Sequence, residues 1–379
     1  MRRLLLIAYL SIAAGATAAE YPAQIEFNAE SFRHMERYFP MATVARGTSV
    51  ATLPVGEPIA GVDLDAFNTA NASTGMVVLH RGALRYEGYF QGATAESRFT
   101  SWSVAKSFTS TLVGLALADG RIDSLEDPVT QYLPDLEDTA YADVTIAQAL
   151  QMSSGVKFSE TYADTEADVG KYMSYVRSGR ANAYLTTRTE RAAPPGTKFN
   201  YNSSETQLLG AILDAVLDQS ISSYLSERIW QPIGAEDDAT WFLDRADGME
   251  ATSMGLNARL RDYARFGLLF ARDGMVGERR VLPAGWVTQA TVPSSPSVRV
   301  GNLYPGYPMG YQYQWWVLPS GSFEAQGVFG QFIYIDRTRD LVIAKTSAWP
   351  DFWSEDHERA FMAIIAEIAA AIDAEAARS

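Results

Sequence analysis

Cysteine is absent from the 379 residues, histidine occurs three times and lysine five times. Without a thiol the chain has no disulfide, no thiolate nucleophile and no cysteine to carry a lipid anchor. The histidines, His34, His80 and His357, come with no HExxH pattern and no His/Cys cluster, so a zinc site lacks its ligand set. His80 falls in a predicted strand and His357 in the opening turn of a predicted helix, both structural positions. A Ser-His-Asp triad would need one of them opposite a serine, and no GxSxG elbow supports that. Long apolar runs are missing too: beyond the first twenty residues no stretch approaches the roughly 20 residues that cross a bilayer. Positive charge is scarce. The formal charge is −14, and −16 for a chain lacking Arg2 and Arg3, which disfavours nucleic acid and anionic membranes as partners.

The remaining composition, 47% apolar and 20% charged, suits a globular protein of one large domain or two ordinary ones. Residues 1–18 stand apart. Arg2 and Arg3 precede the apolar run Leu4 to Ala14, and Ala16-Thr17-Ala18 offers small residues for cleavage, so the segment reads as a secretory signal peptide. The mature chain is expected to be exported, periplasmic or secreted, and soluble.

Residues 76–91, MVVLHRGALRYEGYFQ, read as two strands joined through Arg81-Gly82. From Ser103 to Ala118 the chain is small and apolar and stops at Asp119-Gly120, a buried helix with Gly120 as its stop. Helical patterns separated by Pro and Gly follow. Near the end QYQWWVLP, QFIYID and DLVIAKTS are aromatic and β-branched, hence strands, the last two joined by Arg337-Thr338-Arg339. A final helix opens at Ser354, with Phe361, Ile364, Ile365, Ile368 and Ile372 on one face. The expected fold is an α/β (α+β) sandwich: an antiparallel sheet from both chain ends, flanked by helices, with a mostly helical insertion. Residues 19–120 and 286–379 would form the sandwich and 121–285 the insertion.

With thiol, metal and histidine chemistry receding, a serine activated by an amine remains. At spacing i, i+3 on a helix, serine and lysine share a face, and a neutral lysine can take the hydroxyl proton as the serine attacks a carbonyl. A helix start adds free N–H groups and a positive dipole end for the oxyanion. A chain of this size holds roughly one Ser-x-x-Lys by chance; this one has two, Ser103/Lys106 and Ser154/Lys157. Ser154-Gly155-Val156 reads as a helix end running into a loop. Ser103 heads the apolar helix, where Lys106 points into dry surroundings, and it is the better candidate. Lysine has an ordinary pKa of ~10.4 and must come down by ~3 pH units to be half neutral at pH 7. A tyrosinate held between cationic groups is the alternative base. Tyr201, after Pro195-Gly196 and ahead of an N-capped helix, sits where a loop displays an acid–base residue, although tyrosine there is more often a packing residue.

The segments SWSVAKSF, RIDSLEDPVTQYLPDL, VTIAQALQMSSGV, APPGTKFNYNSSETQLLGAILD and EAQGVFGQFIYIDRTRDLVIAKTS resemble the serine β-lactamase-related hydrolases. The branch is the class C β-lactamase, DD-peptidase and esterase group, most closely the 6-aminohexanoate-dimer hydrolase type. The resemblance runs in order from about residue 75 to the C-terminus. It implies that Ser103 is the nucleophile, Lys106 its partner and Tyr201 the tyrosine of the second motif, with no metal or cofactor and a small ester or amide as substrate. Tyr-x-Asn of β-lactamases is here Tyr201-Asn202-Ser203, which removes the β-lactam-binding amide. In the third motif Lys345-Thr346-Ser347 is a decoy, and the matching stretch is Ala325-Gln326-Gly327-Val328, without a cation. By the same resemblance Gly327 would let a substrate approach the strand, Val328 N–H would be the second oxyanion donor beside that of Ser103, and Gln326 and Tyr162 would face the substrate, with Tyr162 alternatively a loop packing residue. Of Trp315 and Trp316, at least one is expected in the core and the other against the cleft. A β-lactamase or DD-peptidase, or a catalytically silent binding protein of the same fold, are the rival readings.

Overall fold

The computed structural model describes residues 25–164 and 166–378; the expected signal peptide, 1–18, lies outside them. The Arg81-Gly82 turn joins Ser73–His80 to Ala83–Tyr89 as expected, with both turn residues at positive φ. These two strands form one edge of a seven-stranded antiparallel sheet. Across it follow Leu341–Ser347, Gln331–Asp336, Phe323–Gly327, Trp315–Val317 and Gly310–Gln312. The two chain ends thus meet in one sheet, with Ala344 opposite Val77.

The strands have a period of two. Met76, Val78, Phe332, Tyr334 and Ile343 face the terminal helix Glu355–Ala376, which presents Phe361, Ile364, Ile365, Ile368 and Ile372. Ser354 caps that helix by accepting from His357 N–H. Val77, Leu79, Ile333, Val342 and Ala344 join the opposite core. There the helix Leu260–Ala271 lies close, because Gly267 has no Cβ to meet Val342 and Ile333. That helix belongs by sequence to the segment expected as an insertion, 121–285, yet it packs on the sheet.

Two further features differ from the sequence expectation. QYQWWVLP is a tight hairpin rather than one strand: Tyr313 and Gln314 adopt positive φ and turn the chain between Gly310–Gln312 and Trp315–Val317. A second, four-stranded sheet joins Met41–Val44, Ala239–Phe242, Leu256–Arg259 and Arg98–Thr100, in that order. It matters for function, since Arg98–Thr100 leads directly into the turn that carries Ser103 and Ser101 N–H bonds to Leu256 O at 2.7 Å. The helix Ala105–Ala118 then runs through the middle of the molecule, its first twelve residues buried, and ends before Gly120 at positive φ.

Candidate active site

Trp102, Ser103 and Val104 make a single 3₁₀ turn that feeds the helix Ala105–Ala118. Trp102 has φ +43°, a costly conformation for a bulky residue. It is held there by its ring, which packs against Phe32 (5.5 Å) and Phe329 (5.7 Å). Backbone strain is thereby fixed by aromatic packing just before the serine. Continuity from turn to helix keeps the i, i+3 relation, and Lys106 Nζ donates to Ser103 Oγ at 2.9 Å. Its second hydrogen bond goes to Ser253 O at 2.8 Å. Lys106 is 2% exposed. Burial brings its pKa down to about 8, opposed by the negative charge of Glu160.

Tyr201 lies on the other side of the serine. Both line the cleft, the Ser103 hydroxyl works to lower the Tyr201 pKa, and Lys106 Nζ sits 5.3 Å from the Tyr201 ring centroid. Burial first, and then the charge of Glu160, push the phenol pKa well above its ordinary value. The ring is stacked on Trp316, 5.6 Å between centroids. Trp315 points the other way, fully buried against Phe266, Phe270 and Phe323, so one indole is core and its neighbour lines the cleft.

The cleft above Ser103 has a volume of ≈ 340 Å³ and is walled largely by Tyr162, Tyr201, Tyr304, Tyr307, Trp316 and Trp353. Its strand side is Gln326, Gly327 and Val328. A Cβ on Gly327 would lie 2.6 Å from Ser101 O and 3.2 Å from Ser103 N, so only glycine lets the strand close on the nucleophile turn. Gln326 Nε2 is engaged by the buried Glu324 at 2.6 Å. Burial raises the Glu324 pKa to about 8. Tyr162 stacks on Phe352 and donates its hydroxyl to Glu160 at 2.6 Å. The structure therefore brings together Ser103, Lys106, Tyr201, Tyr162, Gln326, Gly327 and Val328.

Glu160, in the same cleft, was not singled out from sequence. Its partner Ser203 is forty-odd positions away, and nothing local in FSETYADTEAD marks the glutamate.

The residues set aside from sequence are elsewhere. Ser154 is fully buried and donates to Glu205 at 2.5 Å, while Lys157 is exposed and pairs with Glu190. Lys345 is enclosed by Phe332, Trp349 and Phe361, with Nζ donating to Ser347 Oγ, and burial takes its pKa well below the ordinary value. His80 contacts Arg85, His357 contacts Ser354 and His34 contacts Glu36, so each histidine has a partner outside the cleft. Among the described residues no group of His, Cys, Asp and Glu is arranged to hold a metal, and no helix is long and apolar enough to cross a membrane.

The Beta-lactamase family profile matches residues 64–367, and the chain belongs to that family. The 6-aminohexanoate-dimer hydrolase of Paenarthrobacter ureafaciens is 28% identical to it over 97% of both chains. A solved structure from Bacillus anthracis, provisionally assigned as a 6-aminohexanoate-dimer hydrolase, superposes with a TM-score of 0.79 at 26% identity, covering 90% of this chain and 93% of the other. A family VIII carboxylesterase shares the fold at a TM-score of 0.64 and 17% identity, with 80% and 96% covered. The protein is a serine hydrolase with the β-lactamase fold, of a kind that acts on amides or esters.

Proposed function

We propose that the protein is an exported hydrolase that cleaves short-acyl carboxylic esters and, more slowly, linear amides through an acyl-enzyme on Ser103. One observation carries this reading: a buried amine with its pKa brought down to about 8 stands 2.9 Å from a serine hydroxyl at the foot of an aromatic cleft. Neutral Lys106 accepts the Ser103 proton as Oγ bonds to the substrate carbonyl. Ser103 N–H and Val328 N–H stabilise the resulting oxyanion. As the carbonyl re-forms, the bond to the leaving group breaks, and Lys106 returns the proton to the departing alkoxide or amine with the Tyr201 hydroxyl alongside. Water then repeats the sequence on the acyl group, releasing the acid and restoring the serine. The raised pKa of Tyr201 argues against a tyrosinate base and for a neutral phenol that donates.

The cleft disfavours the β-lactamase or DD-peptidase alternative. Among the described residues its lining contains no Lys, Arg or His, and Lys345 lies in a separate core. A β-lactam carboxylate would lack its charge-assisted partner, a loss of ~1.5–3 kcal/mol or ~10- to 150-fold. Comparing kcat/KM for p-nitrophenyl butyrate, a linear amide dimer and nitrocefin on the purified chain tests the reading. The expected order is ester, amide, nitrocefin; efficient nitrocefin turnover moves the protein to the β-lactamase alternative. Export rests on the pattern of residues 1–18, and N-terminal sequencing of the protein recovered outside the cytoplasm checks it.

A further inference from the structure

Glu160 belongs to neither the Ser-x-x-Lys nor the Tyr-x-Asn pattern, yet it is the only charged side chain among the described residues lining the cleft. Its Oε1 accepts from the Tyr162 hydroxyl at 2.6 Å and from Ser203 Oγ at 2.5 Å, and its Oε2 accepts from Ser203 N–H at 3.0 Å. Ser203 opens the helix Ser203–Val216, so that N–H is one of the donors a helix leaves without an internal acceptor. A carboxylate is favoured there by the helix dipole and forms strong charge-assisted bonds. Ser203 also occupies the third position of the second motif, two residues after Tyr201. Here that position anchors a glutamate instead of offering an amide to substrate. One carboxylate therefore ties the Tyr162 hydroxyl to the backbone that carries Tyr201.

We propose that Glu160 is a positioning residue of this site: it aims the Tyr162 hydroxyl into the cleft and places a carboxylate, the one charge among the described lining residues, in the cleft where Ser103 and Lys106 meet. The proposal rests on the Ser103–Lys106 reading above. Lys106 is faced by Ser103 Oγ, the Ser253 carbonyl and the ring of Tyr201, and behind Ser253 Oγ stands the hydroxyl of Tyr172. The phenols of Tyr172 and Tyr201 both have raised pKa values and stay neutral, so the ionic influence on the amine is that of Glu160. That charge favours the ammonium, while burial favours the amine. Without the carboxylate, burial acts alone and the amine forms at lower pH.

The test is the pH dependence of kcat/KM on a p-nitrophenyl ester and on a linear amide. In Glu160→Gln the acidic limb moves to lower pH by roughly half a unit or more. Tyr162→Phe leaves the limb in place and lowers the amide-to-ester rate ratio. Glu160→Asp keeps the charge but shortens the side chain, so its limb stays near that of the parent while its amide-to-ester ratio falls. If Glu160→Gln folds poorly by circular dichroism, the amide-to-ester ratio of Glu160→Asp decides the positioning role, and a ratio equal to the parent's overturns it. An unmoved limb in a folded Glu160→Gln, or an equal displacement in Glu160→Asp and Glu160→Gln, overturns the role of Glu160. If Ser103→Ala is inactive at the same time, the nucleophile assignment survives that result. Turnover persisting in Ser103→Ala overturns the assignment itself.

Discussion

Ser103 and Ser154 head the same four-residue pattern, and the fold gives them opposite surroundings. Ser103 sits on a strained turn at the foot of a cleft, and its lysine is buried beside it. Ser154 is sealed in the interior against Glu205, and its lysine is in solvent. Spacing alone does not make a nucleophile. The first pair continues into a helix, so i and i+3 share a face. In the second, Met152 and Gly155 at positive φ break the chain around the serine, and the lysine swings away. Desolvation, which brings Lys106 down to about 8, has no counterpart at the exposed Lys157, whose pKa is raised by Glu190.

The comparison is most severely tested by the serines. Ser103→Ala is expected to abolish turnover. Ser154→Ala should retain the parent's kinetics but lose stability, by about 1–3 kcal/mol, because buried Glu205 loses a partner. Urea unfolding and steady-state kinetics on both variants check this, and a dead Ser154→Ala that is still folded reverses the assignment.

The lysines come next. Lys106→Ala should reduce kcat by ~10²–10⁴-fold, the range of a lost acid–base group. Lys157→Ala, which removes an exposed ion pair, should leave kcat and KM unchanged. Equal effects in the two variants would erase the distinction between the segments.

The smallest effect is in the pH profile. The Lys106 pKa is lowered from 10.5 to about 8, so the ammonium predominates below pH 8 and the reactive amine above it. At pH 7 about a tenth of the molecules hold the neutral amine. kcat/KM should therefore rise through a midpoint near pH 8. A midpoint near 6.5 would indicate a histidine instead.

How far the sequence carried this reading depends on which contacts are local. The Arg81-Gly82 hairpin, the helix stop at Gly120 and the capped terminal helix all rest on residues within a few positions of each other, and the structure shows them. The same is true of the juxtaposition of Ser103 with Lys106. The family likeness brought Tyr201, Gly327 and Val328 to the serine, which no local pattern links to it. Glu160 was not legible because its partners are Tyr162 nearby and Ser203 across the fold, and only the closed cleft makes its position meaningful. The four-stranded sheet was equally hidden. Its strands are three or four residues long and come from four separated segments, too short for a period of two to stand out. The Tyr313-Gln314 turn was masked by strand-like residues on both sides, with no glycine to announce the positive φ.

The central claim is that an acyl group passes through the Ser103 oxygen. Peptide mass spectrometry after brief exposure of the purified protein to a p-nitrophenyl ester, quenched in acid, tests it directly. The account predicts an added acyl mass on the peptide containing Ser103, absent in Ser103→Ala and unchanged in Ser154→Ala. An adduct on the Ser154 peptide, or full turnover by Ser103→Ala, would contradict it.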